Sequence, residues 1–333
     1  MSVGTLNRLA FTVSETGYGV AQAAPTKSWP FKGDRPAMKL KAVDDSDTLT
    51  GGMLLGLSSG VGNIQMTAKF TFDFRWDTLA YFLQFALGSV ATTGAADPYT
   101  HTFTNIAGDV PSFTLYWQDA NTTATKLEQF PGCKVEQLVI SGKGGDKWTI
   151  EVTIVGQGVH SEVVAAMPAL NIDPPEPFSM TSEWNVGGTI TWATGVIAAG
   201  TSYLQKLLDA SVTFKNVFDT KNAFVAGQTY LGSCQRTQLE VTGKATHRWD
   251  ENALAAGTIL NLVETQTPDT LTLAVVNATH SATFNFAKVY LDDGSVKGDK
   301  TTLTKPFTWK AFYDAVAGHD LQAIVLNEIA SYT

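Results

Sequence analysis

Residues 62–88 carry the sequence GNIQMTAKFTFDFRWDTLAYFLQFALG, in which two different periodicities follow each other. From Ile64 to Phe74 every second residue is apolar, and the residues between them are polar or charged. This alternation predicts a long β-strand with one buried face and one face in water. Beyond Arg75 the apolar residues recur every three or four positions as far as Gly88, which predicts a helix with Asp77 at its N-cap.

The rest of the first half reads mainly as β-structure. Gly and Pro recur through the first sixty residues, so this region is predicted as an extended arm and loop with one short strand at residues 38–43. Gly142-Lys143-Gly144-Gly145 predicts a hairpin turn between two strands. The further segments that favour strands are residues 100–104, 113–118, 134–141 and 148–155.

The second half repeats the order of the first. The tripeptide Arg-Trp-Asp at 75–77 recurs at 248–250, each time after an alternating strand and before a helical stretch. Because the order and spacing of the elements agree, the sequence predicts a duplicated domain. The predicted first domain covers residues 1–162, a Pro-rich linker covers 163–177, and the second domain covers 178–333. Trp76 and Trp249 are the predicted core residues of the two copies.

Composition excludes several classes of protein. The 333 residues include 23 basic and 31 acidic side chains, for a net charge of −8, and only 16% of the chain is charged. Tight DNA binding needs clustered Lys and Arg, so this balance argues against it. The sequence has no long apolar span and begins without a recognisable signal peptide, so we expect a protein without a membrane segment that is not secreted.

No catalytic, cofactor or metal site is predicted. Gly56-Leu57-Ser58-Ser59-Gly60 fits the pattern of a nucleophile elbow, but it precedes a strand, whereas the reactive motif joins a strand to a helix. The five histidines are scattered singly, and Cys133 and Cys234 have no partners at metal-ligand spacing.

Several motifs occur in an informative order. Glu15-Thr16-Gly17-Tyr18-Gly19 precedes the Pro-punctuated arm, and the long strand and short helix follow it. Asp97-Pro98-Tyr99-Thr100-His101-Thr102-Phe103 and Gly132-Cys133-Lys134-Val135 come next. In this combination the chain resembles the tail tube proteins, or major tail proteins, of long, non-contractile-tailed bacteriophages. The resemblance covers most of the first half and, through the repeat, extends more loosely over the second.

This resemblance implies a fold and an assembly. The fold would be mainly β, with two tandem tail-tube-type β-sandwich domains, each carrying one short α-helix, whose inner sheets join into an oligomeric β-barrel. Two tandem domains imply a trimeric ring with pseudo-sixfold symmetry, and stacked rings form the conduit for DNA ejection. The implied partners are further copies of the chain and the tail completion, tail tip and tape measure proteins. The implied location is the virion tail, assembled in the host cytoplasm.

The ring hypothesis also assigns two surfaces. A channel that passes DNA without holding it should have a polar wall that is neutral to acidic. If the long strands line the lumen, the wall residues are Gln65, Thr67, Lys69, Thr71, Asp73, Gln238 and Glu240. Four basic residues argue against a uniformly negative lining: Lys69, Arg75, Lys244 and Arg248. Long loops are often ordered by a partner, so residues 34–60 are the candidate contact between rings. Its candidate residues are Asp34, Asp44, Asp45, Asp47, Gly51 and Gly52.

A different class of function stays open at this point. Tandem β-sandwiches with scattered Trp and Tyr also serve as carbohydrate-binding or host-adhesion modules. Rings or hollow tubes of purified protein would favour the tail tube, whereas compact monomers or small globular oligomers would favour the binding module.

Overall fold

The computed structural model describes residues 7–44, 59–119, 126–143, 147–170, 189–192, 207–224, 228–248, 266, 268–277, 280–292, 297–298 and 303–332. Over these residues the chain is mostly β-structure, as the sequence predicts, with one helix, α1 (Trp76–Leu87). Residues 7–170 are called the first half below, and residues 189–332 the second half.

The strands of the first half include all the strands predicted from the sequence and some that were missed. They are β1 (Arg8–Ser14), β2 (Lys32–Gly33), β3 (Ala37–Asp44), β4 (Ser59–Asp73), β5 (Gly88–Thr93), β6 (Tyr99–Asn105), β7 (Phe113–Gln118), β8 (Lys126–Lys143), β9 (Thr149–Gly156) and β10 (Ser161–Val164).

Over the described residues of the second half, all named elements are strands. They are β11 (Thr189–Trp192), β12 (Leu207–Phe218), β13 (Arg236–Arg248), β14 (Asp269–Asn277), β15 (His280–Asp292), β16 (Lys297–Gly298), β17 (Leu303–Ala311) and β18 (Leu321–Asn327). The second predicted helix, at residues 251–256, lies outside the described residues.

Helix α1 ends where the sequence predicts but begins two residues earlier than predicted. Gly88 forms the C-cap with φ of +96°, a left-handed conformation that glycine adopts without a steric penalty. Arg75 is the N-cap, so the assignment of Asp77 to that position is wrong. Asp77 lies in the first turn, where a negative charge is favourable, and its carboxylate accepts a hydrogen bond from Trp29 Nε1 at 2.7 Å.

One long sheet runs through both halves in the order β3, β4, β9, β8, β12, β13, β17, β15, with all neighbours antiparallel. The two halves meet within it, where β8 pairs with β12 over seven residue pairs from Lys143↔Asp209 to Gln137↔Lys215. The long sheet is therefore continuous across the joint.

Strand β8 belongs to two layers. Its first part pairs with β7 and β10, and β7 pairs in turn with β1. Its second part, from Lys134 onward, pairs with β9 and β12 in the long sheet. The strand changes layer at Pro131 and Gly132, where Gly132 has φ of +66°. A glycine inside a strand is typical of such a bend.

Strand β15 is arranged in the same way. Its residues 280–286 pair with β14 and β18, and β14 pairs with β11. Its residues 289–292 pair with β17 in the long sheet. The outer edge of β18 pairs with β6, so the β5–β6 hairpin of the first half extends a layer of the second.

An aromatic cluster fills the core of the first half. The fully buried Phe11 ring of β1 lies within 6.2 Å of five other aromatic rings, measured between centroids. The five rings belong to Trp29, Phe72, Tyr81, Phe82 and Phe113. The cluster therefore joins β1, β4, β7 and α1.

Buried polar groups connect the two halves beside the β8–β12 joint. Lys134, with its side chain 2% exposed, donates to Asp109 Oδ2 at 2.5 Å and to the carbonyl of Cys234 at 2.6 Å. Asn216 Nδ2 donates to the carbonyls of Val135 at 2.9 Å and Ala86 at 3.0 Å. Because these groups are buried and bonded across the joint, they favour one relative placement of the halves.

The β6–β18 pairing contains a buried histidine and gives a pH prediction. His101 lies opposite Val325, its Nε2 is 3.0 Å from Asn327 Oδ1, and burial lowers its pKa. The unfolded chain then binds the proton more readily than the folded chain, so stability should decrease as the pH falls below about 6.5. Urea unfolding at several pH values should show a smaller decrease for His101→Gln. Identical pH profiles of the two proteins would contradict this assignment.

Candidate assembly surface

The polar side chains of the long sheet lie in rows across both halves. One row consists of Asp73, Thr149, Ser141, Ser211, Lys244, Thr308 and Asp292. The next consists of Thr71, Glu151, Val139, Thr213, Thr242, Lys310 and Tyr290. A third contains Lys69, Thr153, Gln137, Lys215 and Glu240. We call this surface the polar face.

Four of the seven candidate wall residues belong to these rows, and the other three, Gln65, Thr67 and Gln238, continue the same face along β4 and β13. Five of them alternate along β4 with side chains that point to the opposite face of the sheet, such as the buried Phe70 and Phe72. Glu240 pairs with Lys215 in the third row, and Gln238 lies two positions away on the same strand. Side chains two positions apart share a face, so the structure places both halves' candidates on one surface.

Charges on the polar face are balanced. The three rows contain four lysines and four carboxylates, and ion pairs link Lys69 to Glu151 at 2.9 Å and Lys215 to Glu240 at 3.8 Å. These pairs are largely exposed, so they add little to stability. Their effect is electrostatic, because each of these two lysines has a carboxylate close by. The three rows are therefore mixed in charge and not uniformly negative.

The long sheet is open at both ends over the described residues. There β3 has β4 as its only strand partner, and residues 290–292 of β15 have only β17, although the carbonyl of Leu291 accepts a hydrogen bond from Gln266 Nε2 at 3.3 Å. Large apolar side chains are exposed near both edges. Leu40 of β3 is 54% exposed, and Phe312 and Tyr313, which follow β17, are 42% and 63% exposed.

The candidate contacts between rings are only partly described. Asp34 is exposed between β2 and β3, and Asp44 is the last residue of β3. Asp45, Asp47, Gly51 and Gly52 lie outside the described residues, as does the candidate core residue Trp249. Trp76 is buried, and its ring lies edge-on to Phe74 with 4.9 Å between centroids.

Glu15 has a structural role that the sequence analysis did not assign. Its carboxylate accepts hydrogen bonds from Ser112 Oγ and Thr114 Oγ1, both at 2.7 Å, and from the backbone N–H of Gly132 at 3.0 Å and Gly19 at 3.1 Å. It therefore connects the chain after β1 to the start of β7 and to the bend in β8. The only signal in the sequence is a carboxylate next to a Gly-rich turn.

Replacing Glu15 tests this role. Glu15→Ala leaves four donors without their acceptor, and we expect the free energy of unfolding to decrease by about 2–3 kcal/mol. Urea unfolding followed by tryptophan fluorescence measures the change. Glu162→Ala on the exposed strand β10 is the control and should change stability by less than about 0.5 kcal/mol. Equal effects of the two substitutions would contradict the role assigned to Glu15.

Other kinds of site were sought over the same residues. Among the described side chains, no three His, Cys, Asp or Glu are grouped closely enough to hold a metal ion. No helix in the described part of the chain is long and apolar enough to cross a membrane. The polar face and the open sheet edges are therefore the features that suggest a function.

Comparison with known families agrees with these features. A family model described as phage tail tube protein matches residues 5–311. The chain belongs to this family. The match includes every strand of the long sheet and both copies of the Arg-Trp-Asp tripeptide. The resemblance seen in the sequence is thus confirmed, and a structural role in the phage tail follows from it. No curated protein matches the chain.

Proposed function

We propose that three copies of this chain close into a ring, that the rings stack into the tail tube, and that DNA passes through the tube during ejection. The observation that carries this proposal is the long sheet, which runs through both halves and has no further strand paired to either end in the part of the chain that the structure describes. Open strand edges leave backbone groups unpaired, and joining them between copies would satisfy those groups. Three chains would contribute eight strands each, and a barrel of that size encloses an aqueous channel.

The strand order supports a duplicated domain. In the first half β1, β7, β8 and β10 form one layer, and β3, β4, β9 and β8 form the other. In the second half β11, β14, β15 and β18 occur in the same order, as do β12, β13, β17 and β15. The proposed domains are residues 1–162 and 178–333, although β10 extends to Val164, just inside the proposed linker 163–177.

Duplication also supports the trimer. If each chain supplies two equivalent units and joins them internally at β8 and β12, a ring of six units needs three chains. Joints inside a chain and joints between chains would then alternate around the ring. The proposed ring therefore has threefold symmetry and an approximate sixfold appearance.

The polar face is proposed to line the lumen. Its balanced charges would offer DNA phosphates neither a basic groove to bind nor a strong barrier to passage. Residues 37–44 of the segment 34–60 form β3 in the long sheet, so the rest of this segment is proposed to contact the next ring. The tail completion, tail tip and tape measure proteins are the proposed partners at the ends and inside the tube. Assembly is proposed to take place in the host cytoplasm.

Negative-stain electron microscopy combined with a mass measurement in solution tests the proposal. We expect rings or hollow tubes, with three chains in an isolated ring. Monomers that persist at high protein concentration would contradict it. Binding of such monomers to a glycan array would favour the carbohydrate-binding alternative.

A further inference from the structure

We infer that a surface patch beside the open edge of β15, formed by Lys288, Tyr290, Phe312, Tyr313 and Val316, binds strand β3 of a second copy of this chain, with Ala37 opposite Tyr290. We call this surface the closing patch. The inference rests on the proposed ring and deepens it, because it names the residues and the register of the joint between chains.

The closing patch exposes large apolar groups. Phe312, Tyr313 and Val316 are 42%, 63% and 99% exposed. The rings of Tyr290 and Phe312 lie edge to face, 5.2 Å apart, and Lys288 Nζ lies 5.7 Å from the Tyr290 ring. Exposed large apolar side chains that lie close together in the chain are typical of protein interfaces. The patch borders residues 290–292, for which β17 is the only strand partner among the described residues. The carbonyl of Leu291 accepts a hydrogen bond from the side chain of Gln266 at 3.3 Å, which a strand of a second copy would have to displace.

The equivalent surface of the first half is already covered within the chain. The tripeptide recurs 173 residues later, so each residue of β4 corresponds to the residue of β13 with a number 173 higher. Ile154 and Ala311 pair with two such corresponding residues, and they therefore correspond to each other. The next residues, Val155 and Phe312, therefore correspond. Val155 is only 2% exposed, whereas Phe312 is 42% exposed.

In the first half, residues that follow β12 are hydrogen-bonded to the chain next to this surface. Leu231 donates its backbone N–H to the carbonyl of Gln157 at 3.0 Å, and Ile64 donates its N–H to the carbonyl of Thr229 at 2.6 Å. In the second half β12 lies beside β13 in the same way that β2 and β3 lie beside β4 in the first half. The first half of a second copy can therefore pack against the closing patch as the second half packs against the first within one chain.

The internal joint also fixes the register. There Lys215 of β12 lies opposite Gln137 of β8. Lys215 pairs with Glu240, which the 173-residue shift relates to Thr67, and Thr67 pairs with Ala37. Lys215 therefore corresponds to Ala37.

Gln137 is related to Tyr290 by the same procedure. Gln137 pairs with Thr153, and Thr153 pairs with Lys69. The shift relates Lys69 to Thr242, which pairs with Lys310, and Lys310 pairs with Tyr290. The joint between chains thus places Ala37 opposite Tyr290.

Neighbouring positions agree with this register. In the internal joint Lys134 Nζ lies 5.8 Å from the Phe218 ring. Lys134 corresponds to Lys288. Leu40 corresponds to Phe218, because each lies three residues after the paired position of its strand. The exposed Leu40 would therefore lie against Lys288 of the other copy.

A disulfide between copies tests the register. Ala37 and Tyr290 belong to strands at opposite ends of the long sheet, about 30 Å apart at the usual strand spacing, so a bond between cysteines at these positions must join two chains. The native Cys133 and Cys234 are buried, and burial raises the pKa of both thiols, that of Cys234 to about 11. Few thiolates form at neutral pH, so the background should be small.

The double variant Ala37→Cys, Tyr290→Cys should give covalent dimers and trimers on mild oxidation, resolved on a non-reducing gel and reversed by a thiol reductant. The control pairs Ala37→Cys with Thr308→Cys, which lies one strand further in on the polar face and should not form the bond. Equal yields from both variants, or no bond in a protein that forms rings, would overturn the register and leave the proposed function standing.

A second variant tests the patch without a disulfide. Phe312→Asp should lower the thermal midpoint of the unassembled chain by less than about 4 °C and raise the protein concentration needed for rings at least about tenfold, whereas Phe312→Leu should assemble normally. Normal rings from Phe312→Asp would overturn the inference. Failure of the unmodified chain to form any ring would instead overturn the proposed function.

Discussion

Phe11→Ala should lower the free energy of unfolding by about 3–5 kcal/mol, the range for removing a large aromatic side chain from a packed core. Phe11 is fully buried, and its ring is in contact distance of rings from β4, β7 and α1 and of Trp29. The resulting cavity would border both layers of the first half and the helix at once. Urea unfolding of the unassembled chain, followed by tryptophan fluorescence, measures the loss.

Phe312→Ala is the matched control for this prediction. Phe312 is the same residue type but is partly exposed, so its truncation should change monomer stability by less than about 1 kcal/mol. If Phe11→Ala costs no more than Phe312→Ala, the aromatic cluster does not hold the first half together.

Glu151→Lys should increase the affinity of assembled tubes for DNA. The substitution reverses the charge that lies 2.9 Å from Lys69, so each chain places two unpaired lysines side by side on the polar face. Repeated around and along a tube, such pairs should tighten binding of double-stranded DNA by about tenfold or more at low salt, with a steep loss as salt is raised. Co-sedimentation of DNA with tubes measures the effect, and DNA ejection from particles carrying the variant should slow.

Glu162→Lys provides the matching control for charge. It changes the net charge by the same amount, but on the exposed strand β10, in the layer that does not contain the polar face. Tubes of this variant should bind DNA as weakly as the unmodified tubes. Equal binding by the two variants would contradict the placement of the polar face in the lumen.

Local features of the fold could be predicted from the sequence, whereas its junctions could not. The alternation from Ile64 to Phe74 is sufficient to predict β4. Gly88 marks the end of α1 because the backbone there is left-handed, a conformation that favours glycine. Strand β8 was predicted too short, since Pro131 and Gly132 normally interrupt strands. In the structure they lie where the strand changes layer, and pairing resumes on the other side.

For the candidate surface, too, local features could be predicted from the sequence, whereas long-range contacts could not. Alternation assigned the polar face correctly along β4, because a half-buried strand carries that information in its own residues. The pairing of β8 with β12 joins residues about seventy positions apart, and no local pattern in either strand specifies the other. The buried contacts of Lys134, Asn216 and Glu15 were missed for the same reason, since each depends on partners from distant parts of the chain.

The bent strands β8 and β15 have a mechanical consequence. Because each strand contributes hydrogen bonds to both layers, a force that pulls one layer away must also load the backbone of the other. Neither layer can peel off through the rupture of side-chain contacts alone. Each half should therefore resist shear and internal pressure as one covalently continuous body, and stretching experiments should show one high rupture force per half instead of stepwise separation of layers.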